Sequence, residues 1–356
     1  MQNSSLNVLV FGAGAIGTYI GGSLALAGHN LTFVEQPAVA QSLRQRGLKL
    51  DLSVDKRRVE RSVFEIRDVV IVDSLESALA GSRFDVAIFA LKSFDTIPAL
   101  ESLKPLREAL PPVLCLQNGV DNEPAIAEAL GADKVIYGTV TSAVGRGGPG
   151  EITLEKLRGM GVAESSELSY RVAAALDGAF LNCQLFANAA EMKWSKLLTN
   201  LLANPTSAIL DMTAAEIYAH PGLYQLEIEQ LRECLAVMKA QGLGAVDLPG
   251  TPVRLLTLAT RLPTWLSKPF LSRAAGAGRG AKMPSFHIDL YAGRTRSEVT
   301  YLHGAVVRAG EKQGVPTPVN KLLTETLLAL AEKRLPLNTY VRQPEKLLAE
   351  LKTFKP

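Results

Sequence analysis

The sequence predicts an α/β protein in which a doubly wound sheet at the N-terminus precedes an all-helical C-terminal domain. Three observations lead to this prediction. The chain is 356 residues long, a glycine-rich turn joins a buried strand to a helix near its start, and helical periodicity dominates its second half. A single hydrophobic core rarely grows beyond about 250–300 residues, so two domains are expected. We place them at residues 1–187 and 188–356.

The composition is typical of a globular enzyme and excludes several other classes. Hydrophobic residues make up 47% of the chain and charged residues 21%, which is ordinary for a folded domain. The net charge of +3 and the lack of a dense Lys/Arg run predict no nucleic-acid partner, although the mild basicity suits a small anionic substrate. Glycines and polar residues interrupt the first apolar stretch, Val8 to Val34, so no membrane span is expected.

Cysteine and histidine usage indicates a reducing compartment and no metal centre. The cysteines are odd in number and far apart, at Cys115, Cys183 and Cys234. Neither they nor the four histidines have the spacing of a metal site or a disulfide framework. The N-terminus lacks the basic segment of a secretory signal. We therefore expect a cytoplasmic protein without a bound metal.

The first turn of the chain has the pattern of a phosphate-binding loop. Asn7 to Phe11 is an apolar run typical of a buried strand, and a G-x-G-x-x-G pattern follows it as Gly12, Ala13, Gly14, Ala15, Ile16 and Gly17. The first glycine permits the bend, the second lets a pyrophosphate approach, and the third lets the helix pack on the strand. A second strand ends at Glu35, where a carboxylate can bind a ribose. The segment predicts a Rossmann-type dinucleotide-binding domain, with a merely tight glycine turn as the alternative.

Two further buried strands are predicted, and polar residues follow each of them. Phe84 to Leu91 precedes Lys92, and Val113 to Leu116 precedes Gln117 and Asn118. Because ligands bind at the carboxyl ends of parallel strands, we expect Lys92 and Asn118 to contact the dinucleotide. The simpler alternatives are a solvated strand end for Lys92 and a turn for Asn118.

The rest of the N-terminal half completes the predicted sheet. Ile97 to Leu110 has helical character, Lys134 to Val140 is predicted to be a strand, and short apolar runs at Val69 to Val72 and Gln184 to Ala187 extend the sheet. The four glycines between residues 145 and 150 predict a flexible connection.

The most informative stretch of the C-terminal half is a predicted helix from Glu191 to Asn204. Leucines form one face of it, while Lys196, Asn200 and Asn204 recur every four residues on another face. A solvated face is the simpler explanation. Asparagine is a poor choice for an exposed helix, however, because its side chain competes for backbone hydrogen bonds. Lys193 lies outside this stripe, and we expect its removal to be mild.

Two other features of this half have ordinary structural explanations. Ser285 and Asp289 can be a helix cap and a first-turn acid. Trp265 is expected to contribute to packing. Neither feature indicates a function by itself.

Taken together, these segments resemble the ketopantoate reductase family, the 2-dehydropantoate 2-reductases, along nearly the whole chain. The resemblance rests on four blocks, namely Gly12 to Gly17, Leu91-Lys92 with Leu116 to Val120, Lys193 to Pro205, and Pro284 to Glu298. It implies that Lys196 donates a proton. It also implies that Asn118, Asn200 and Asn204 position substrate and cofactor, and that Ser285 and Glu298 contact the substrate.

The sequence departs from the family pattern at three places. Gln36 stands where many members carry an arginine for the NADP 2′-phosphate, and Lys282 stands where some carry a substrate-contacting asparagine. The interval from Ser285 to Glu298 is one residue longer than usual. The resemblance implies NADP, whereas Glu35 and Gln36 favour NAD, because a carboxylate binds ribose hydroxyls but repels a phosphate. The expected cofactor is therefore NAD(P)(H), with the choice open.

The resemblance also implies a reaction, the reduction of a small 2-keto acid by hydride from the nicotinamide. The leading expectation is conversion of 2-dehydropantoate to (R)-pantoate, on the route to pantothenate and coenzyme A, with Lys196 and Glu298 as catalytic residues. One alternative is an NAD-dependent dehydrogenase for another branched or aromatic 2-hydroxy acid. Another, of a different class, is a non-catalytic cofactor-binding sensor. A homodimer is left open.

Overall fold

The computed structural model of the chain describes residues 5–269, 271 and 283–354. The chain divides into two compact units. The first, which we call the sheet unit, comprises Met1–Gln117, Asn122–Lys193 and Leu248–Thr251, and the second, the helical unit, comprises Asn118–Asp121, Trp194–Asp247 and Pro252–Pro356. The predicted fold class is confirmed, and the sequence-based boundary after residue 187 stays a prediction.

The sheet unit contains two sheets. Its strands are β1 Asn7–Phe11, β2 Asn30–Val34, β3 Leu48–Asp51, β4 Val63–Ile66, β5 Val70–Val72, β6 Val86–Phe89, β7 Val113–Cys115, β8 Val135–Val140, β9 Ala143–Gly148, β10 Glu151–Lys156, β11 Met160–Ala163 and β12 Cys183–Phe186. The main sheet has the order β12-β11-β8-β7-β6-β1-β2-β5. Its neighbouring strands are parallel except for β8 and β11.

The central strands are buried on both faces, which explains their uninterrupted apolar runs. Because successive side chains alternate, Val8 and Val10 of β1 belong to one hydrophobic cluster while Leu9 and Phe11 belong to another. All four are buried. Hydrophobic packing on both faces therefore fixes the position of the sheet edge at which β1, β6 and β7 end.

The second sheet was not predicted. Its order is β4-β3-β10-β9, and β9 pairs antiparallel with β10. The expectation of a flexible connection between residues 145 and 150 is wrong, because Gly145, Gly147 and Gly148 lie within β9. Glycine is unusual inside strands because it has no side chain to pack, which is why this run predicted a connection and not a strand.

Helices flank the main sheet and build the helical unit. They are α1 Ala15–Leu26, α2 Pro37–Arg46, α3 Leu75–Gly81, α4 Thr96–Leu103, α5 Asn122–Leu130, α6 Glu167–Gly178, α7 Ala189–Leu201, α8 Asn204–Leu210, α9 Ala214–Ala219, α10 Pro221–Ala240, α11 Val253–Arg261, α12 Ser285–Tyr291, α13 His303–Gln313, α14 Pro318–Ala331 and α15 Pro344–Phe354. The helix predicted from Ile97 to Leu110 ends at Leu103 and gives way to a 3₁₀ turn, Lys104–Leu106. Pro105 at its start explains the break.

Two expectations about hydrophobic segments have different outcomes. Trp265 is 74% exposed, so the expectation that it packs into a core is wrong. Among the described residues, no helix is both long enough and apolar enough to cross a membrane.

Candidate active site

Gly12, Gly14 and Gly17 of the first turn are explained by different physical requirements. Gly12 has a φ of +88°, a left-handed conformation that glycine adopts readily. A Cβ on Gly17 would lie 2.0 Å from the Gly12 carbonyl oxygen, so the bare glycine lets α1 approach the turn. Gly14 has an ordinary extended conformation, and a Cβ there would meet nothing within 4 Å. Protein atoms therefore give no steric reason for glycine at position 14, whereas a cofactor pyrophosphate close to the backbone would give one.

Glu35, at the end of β2, is anchored to this turn. One carboxylate oxygen accepts a hydrogen bond from the Ala13 N–H, and the other accepts one from the Gln36 N–H at 3.1 Å. Ala15 and Ile16 open α1, which has no side-chain cap, and the first N–H groups of a helix are suited to bind an anion. The turn therefore combines donors for phosphate with a carboxylate that can accept hydrogen bonds from ribose hydroxyls.

A buried polar network lies behind the loops that follow β6 and β7. The Gln117 side chain is 4% exposed and donates to the Leu91 carbonyl oxygen at 3.0 Å and to the Thr96 hydroxyl at 2.8 Å. Thr96 donates in turn to the Asn122 amide oxygen at 2.9 Å. Since Leu91 directly precedes Lys92, these bonds fix the backbone on which Lys92 stands. Lys92 itself is half-buried and precedes a 3₁₀ turn.

Lys193 is part of the same buried region, which is a physical argument against the expectation that its removal is mild. Its side chain is 3% exposed, and its Nζ lies 2.5 Å from Oε1 of the fully buried Glu123. The same Nζ donates to the Gln117 carbonyl oxygen at 2.8 Å and to the Gly138 carbonyl oxygen at 3.2 Å. Burial raises the pKa of Glu123, and the ammonium of Lys193 opposes that rise.

The polar stripe of Lys196, Asn200 and Asn204 spans two helices, not the single helix that was predicted. The predicted helix was expected to end or kink at Asn204, but the break comes earlier, because α7 ends at Leu201 and Asn204 begins α8. Pro205 has no N–H to bond to the Leu201 carbonyl oxygen, as a continuous helix would require. The asparagines nevertheless meet, since Asn200 Nδ2 donates to Asn118 Oδ1 at 3.1 Å and Asn204 Nδ2 donates to the Asn200 carbonyl oxygen at 3.3 Å. Lys196 lies one helical turn before Asn200 and is half-buried.

A carboxylate from α10 holds the corner between α7 and α8. Ala203 has a φ of +50°, an unusual conformation for a residue with a side chain. The buried Glu227 accepts a hydrogen bond from the Ala203 N–H at 2.7 Å and another from the Thr206 hydroxyl at 2.6 Å. The corner that brings Asn204 to Asn200 is therefore stabilised by a residue that sequence spacing did not single out.

Ser285 and Glu298 also lie in the helical unit. Ser285 is exposed and is the first residue of α12, with Pro284 at the cap position, so its interpretation as a helix cap is wrong. The N–H of the next residue, Phe286, donates to Asn204 Oδ1 at 3.2 Å, which brings the start of α12 to the asparagines. Glu298 is 7% exposed and opens a 3₁₀ turn.

Asp289 and Lys282 were also considered in the sequence analysis. Asp289 lies beyond the first turn of α12 and pairs with Arg294 at 3.0 Å, so its reading as a first-turn acid is wrong. Lys282 lies outside the described residues. Within the described part of the chain, no group of three or more His, Cys, Asp or Glu residues could hold a metal ion.

Several polar residues of the site were missed from the sequence. Glu123 lies in the first turn of α5, where an acidic residue is ordinarily explained by the helix dipole. Thr96 and Asn122 lie at the starts of helices, where such residues are common caps. Glu227 lies inside α10, whose pattern carried no signal of a buried carboxylate.

Comparison with known proteins gives concordant matches along the chain. The family description "Ketopantoate reductase PanE/ApbA" matches residues 8–167, and its C-terminal counterpart matches residues 188–331. A 2-dehydropantoate 2-reductase of Halobacterium salinarum is 28% identical over 338 residues, which cover 92% of this chain and 99% of the relative.

Solved structures agree with these matches. The crystal structure of a PanE/ApbA family ketopantoate reductase from Ralstonia eutropha has a TM-score of 0.76 and 27% identity, with coverage of 92% of this chain and 99% of the other. A ternary structure of D-mandelate dehydrogenase with NADH and anilino(oxo)acetate has a TM-score of 0.73, with coverage of 94% and 99%. At 21% identity, the second likeness concerns the fold alone.

Proposed function

We propose that this chain, which belongs to the ketopantoate reductase PanE/ApbA family and is therefore an NAD(P)-dependent oxidoreductase, reduces 2-dehydropantoate to (R)-pantoate. The observation that carries the proposal is the hydrogen-bonded run Asn118, Asn200 and Asn204, one helical turn beyond the half-buried Lys196. Three neutral amides beside one ammonium can orient a polar anionic substrate without competing charges. Because the family consists of oxidoreductases, the alternative of a non-catalytic cofactor-binding sensor has no support.

In this proposal the glycine turn and Glu35 hold the dinucleotide. The N–H groups at the start of α1 bind the pyrophosphate, and Gly14 leaves room for it. Lys92 contacts the cofactor from the loop after β6. When bound, the reduced nicotinamide supplies the hydride that the carbonyl carbon of the substrate receives.

The residues of the helical unit do the remaining work. Negative charge develops on the carbonyl oxygen during reduction, and the Lys196 ammonium stabilises that charge and donates a proton from Nζ to the oxygen. The product leaves as a 2-hydroxy acid, with a neutral hydroxyl group beside the unchanged carboxylate, and Lys196 regains its proton from water. The Ser285 hydroxyl binds the substrate, and the buried Glu298 orients Lys196 or accepts a hydrogen bond from a substrate hydroxyl.

A second candidate substrate class has a specific observation in its favour. The chain shares its fold with D-mandelate dehydrogenase, whose ternary structure contains NADH and anilino(oxo)acetate, an aromatic 2-oxo acid derivative. Glu35 without a neighbouring arginine also favours NADH. An NAD-dependent dehydrogenase for an aromatic or branched 2-hydroxy acid is therefore the alternative.

The deciding experiment is a substrate panel with the purified protein and each reduced cofactor. Oxidation of NADH or NADPH is followed with 2-dehydropantoate, 2-ketoisovalerate and phenylglyoxylate, and kcat/KM is determined for every pair. We expect the highest kcat/KM with 2-dehydropantoate. A kcat/KM for phenylglyoxylate that exceeds it by about tenfold, equivalent to about 1.4 kcal/mol of transition-state binding, would replace this proposal with the alternative.

A further inference from the structure

The sheet unit contains a buried ion pair that the proposed chemistry does not use. Lys193 and Glu123 are 3% and 0% exposed, and the two charged groups are 2.5 Å apart. An ammonium has three donors, and the Nζ of Lys193 has three acceptors around it, namely the Glu123 carboxylate and the carbonyl oxygens of Gln117 and Gly138. The ammonium therefore combines one ion pair with two hydrogen bonds to backbone carbonyl oxygens.

Stability alone is a weak reason for such a pair. Desolvation of two charges offsets most of their attraction, and buried ion pairs replaced by apolar residues of similar size often leave a protein equally stable or more so. An apolar pair could fill the same volume, but it could not bond to the two carbonyl oxygens. The particular contribution of Lys193 is thus the hold on the backbone at Gln117 and Gly138.

The Gln117 backbone is the point where this hold reaches the proposed active site. Its carbonyl belongs to the peptide that leads into Asn118, whose side chain accepts the hydrogen bond from Asn200. The Gln117 side chain bonds to the carbonyl of Leu91, the residue before Lys92. One residue thus ties together the backbone supports of Asn118 and Lys92.

We propose that Lys193, held in place by Glu123, is a positioning residue that fixes the backbone from which Asn118 and Lys92 act on the bound cofactor and substrate. The proposal rests on the proposed function for its kinetic consequences. It extends that function by assigning a role to a lysine that touches neither ligand. Its consequence is that catalysis and stability respond differently when the pair is replaced as a unit.

The test compares Lys193→Met, Glu123→Leu and the double variant Lys193→Met/Glu123→Leu. Each single variant leaves an uncompensated buried group and should lower the midpoint of urea unfolding. The double variant should recover most of the lost midpoint. Its kcat should nevertheless stay at least about tenfold below that of the parent, because an ångström-scale misplacement of positioning groups costs up to about a hundredfold. KM for the keto acid should change less than kcat.

The matched control is Val172→Ala, which leaves a cavity under the buried face of α6, a helix that carries none of the residues of this network. It should lower the unfolding midpoint while kcat stays within about twofold of the parent. The dissociation constant of the reduced cofactor, measured by fluorescence titration, is a readout that needs no keto acid turnover. It should rise in the double variant, so the positioning role is tested even if the proposed substrate is wrong.

The outcomes distinguish a positioning role of the Lys193–Glu123 pair from a role in stability alone. A double variant that regains stability and also has the parental kcat and cofactor affinity would overturn the proposal. If that variant does not fold, Lys193→Met/Glu123→Gln replaces it with the same criteria. Failure of both double variants to fold, while Val172→Ala folds, would make the pair structural and would equally overturn the proposal.

Discussion

Alanine at Gly14 should weaken cofactor binding and leave stability almost unchanged, whereas alanine at Gly17 should lower stability. At Gly14 the added methyl group meets no protein atom within 4 Å, and the backbone conformation is one that alanine tolerates. Gly14 is the N-cap of α1, where alanine costs a fraction of a kcal/mol to about 1 kcal/mol relative to glycine. Gly14→Ala should therefore fold almost as stably as the parent.

The magnitude of the binding defect follows from what the methyl group would displace. It projects into the space that we assign to the pyrophosphate, so at least one hydrogen bond between a backbone N–H and a phosphate oxygen should be lost. Such charge-assisted bonds are each worth about 1.5–3 kcal/mol, or about tenfold to a hundredfold in Kd. Gly17→Ala differs, because its Cβ would lie 2.0 Å from the Gly12 carbonyl oxygen and α1 must shift. That overpacking should cost about 1–3 kcal/mol or more of stability.

Two measurements on the same samples check this pair. Fluorescence titration with NADH and NADPH gives the Kd, and urea unfolding gives the free energy of unfolding. Gly14→Ala should raise the Kd with little change in stability, whereas Gly17→Ala should be clearly less stable. A Gly14→Ala protein that binds both cofactors within about twofold of the parent would refute the assignment of the pyrophosphate to this turn.

The remaining predictions concern cofactor choice and pH. Glu35→Ala combined with Gln36→Arg should shift the ratio of kcat/KM values towards NADPH, since it removes a carboxylate and adds a cation; an unchanged ratio would show that these residues do not face the ribose. Burial lowers the pKa of His303 to about 3, below its value in the unfolded chain. Below pH 6.5 the unfolded chain therefore binds a proton that the folded protein does not, and stability should fall by up to about 1.4 kcal/mol per pH unit down to about pH 3. Urea unfolding between pH 7 and pH 4.5 measures this slope, and a slope unaltered in His303→Asn would contradict the assignment.

Local chemistry made much of the sheet unit predictable. The apolar run around Val8 and Val10 with the glycine turn after it sets both the strand and the start of α1, because each signal lies within a few residues. The hydrogen bond from Asn204 to the Asn200 carbonyl oxygen also lies within adjacent sequence, although the helix is interrupted between the two residues. The glycine run after residue 144 gave a wrong expectation, because glycines usually mark loops and Gly145 lies within β9.

Long-range partners were the part that sequence spacing could not supply. Spacing placed Lys193 outside the stripe of Lys196, but it could not show that Lys193 is buried against Glu123, 70 residues earlier in the chain. Glu227 likewise supports the backbone of Ala203 from a separate helix. A periodic pattern predicts which residues share a face, but it does not predict which distant group that face will meet.

The central claim, that Lys196 donates the proton in reduction of a 2-keto acid, is tested most directly by the kcat of Lys196→Ala on the best substrate of the panel. The matched control is Lys321→Ala, which removes an exposed lysine from α14 of the same unit. We expect kcat to fall by about two to four orders of magnitude in Lys196→Ala, the usual effect of losing a positioned general acid, with cofactor Kd and stability nearly unchanged. Lys321→Ala should match the parent. A kcat for Lys196→Ala within about threefold of the parent, in a folded protein that binds cofactor normally, would contradict the mechanism.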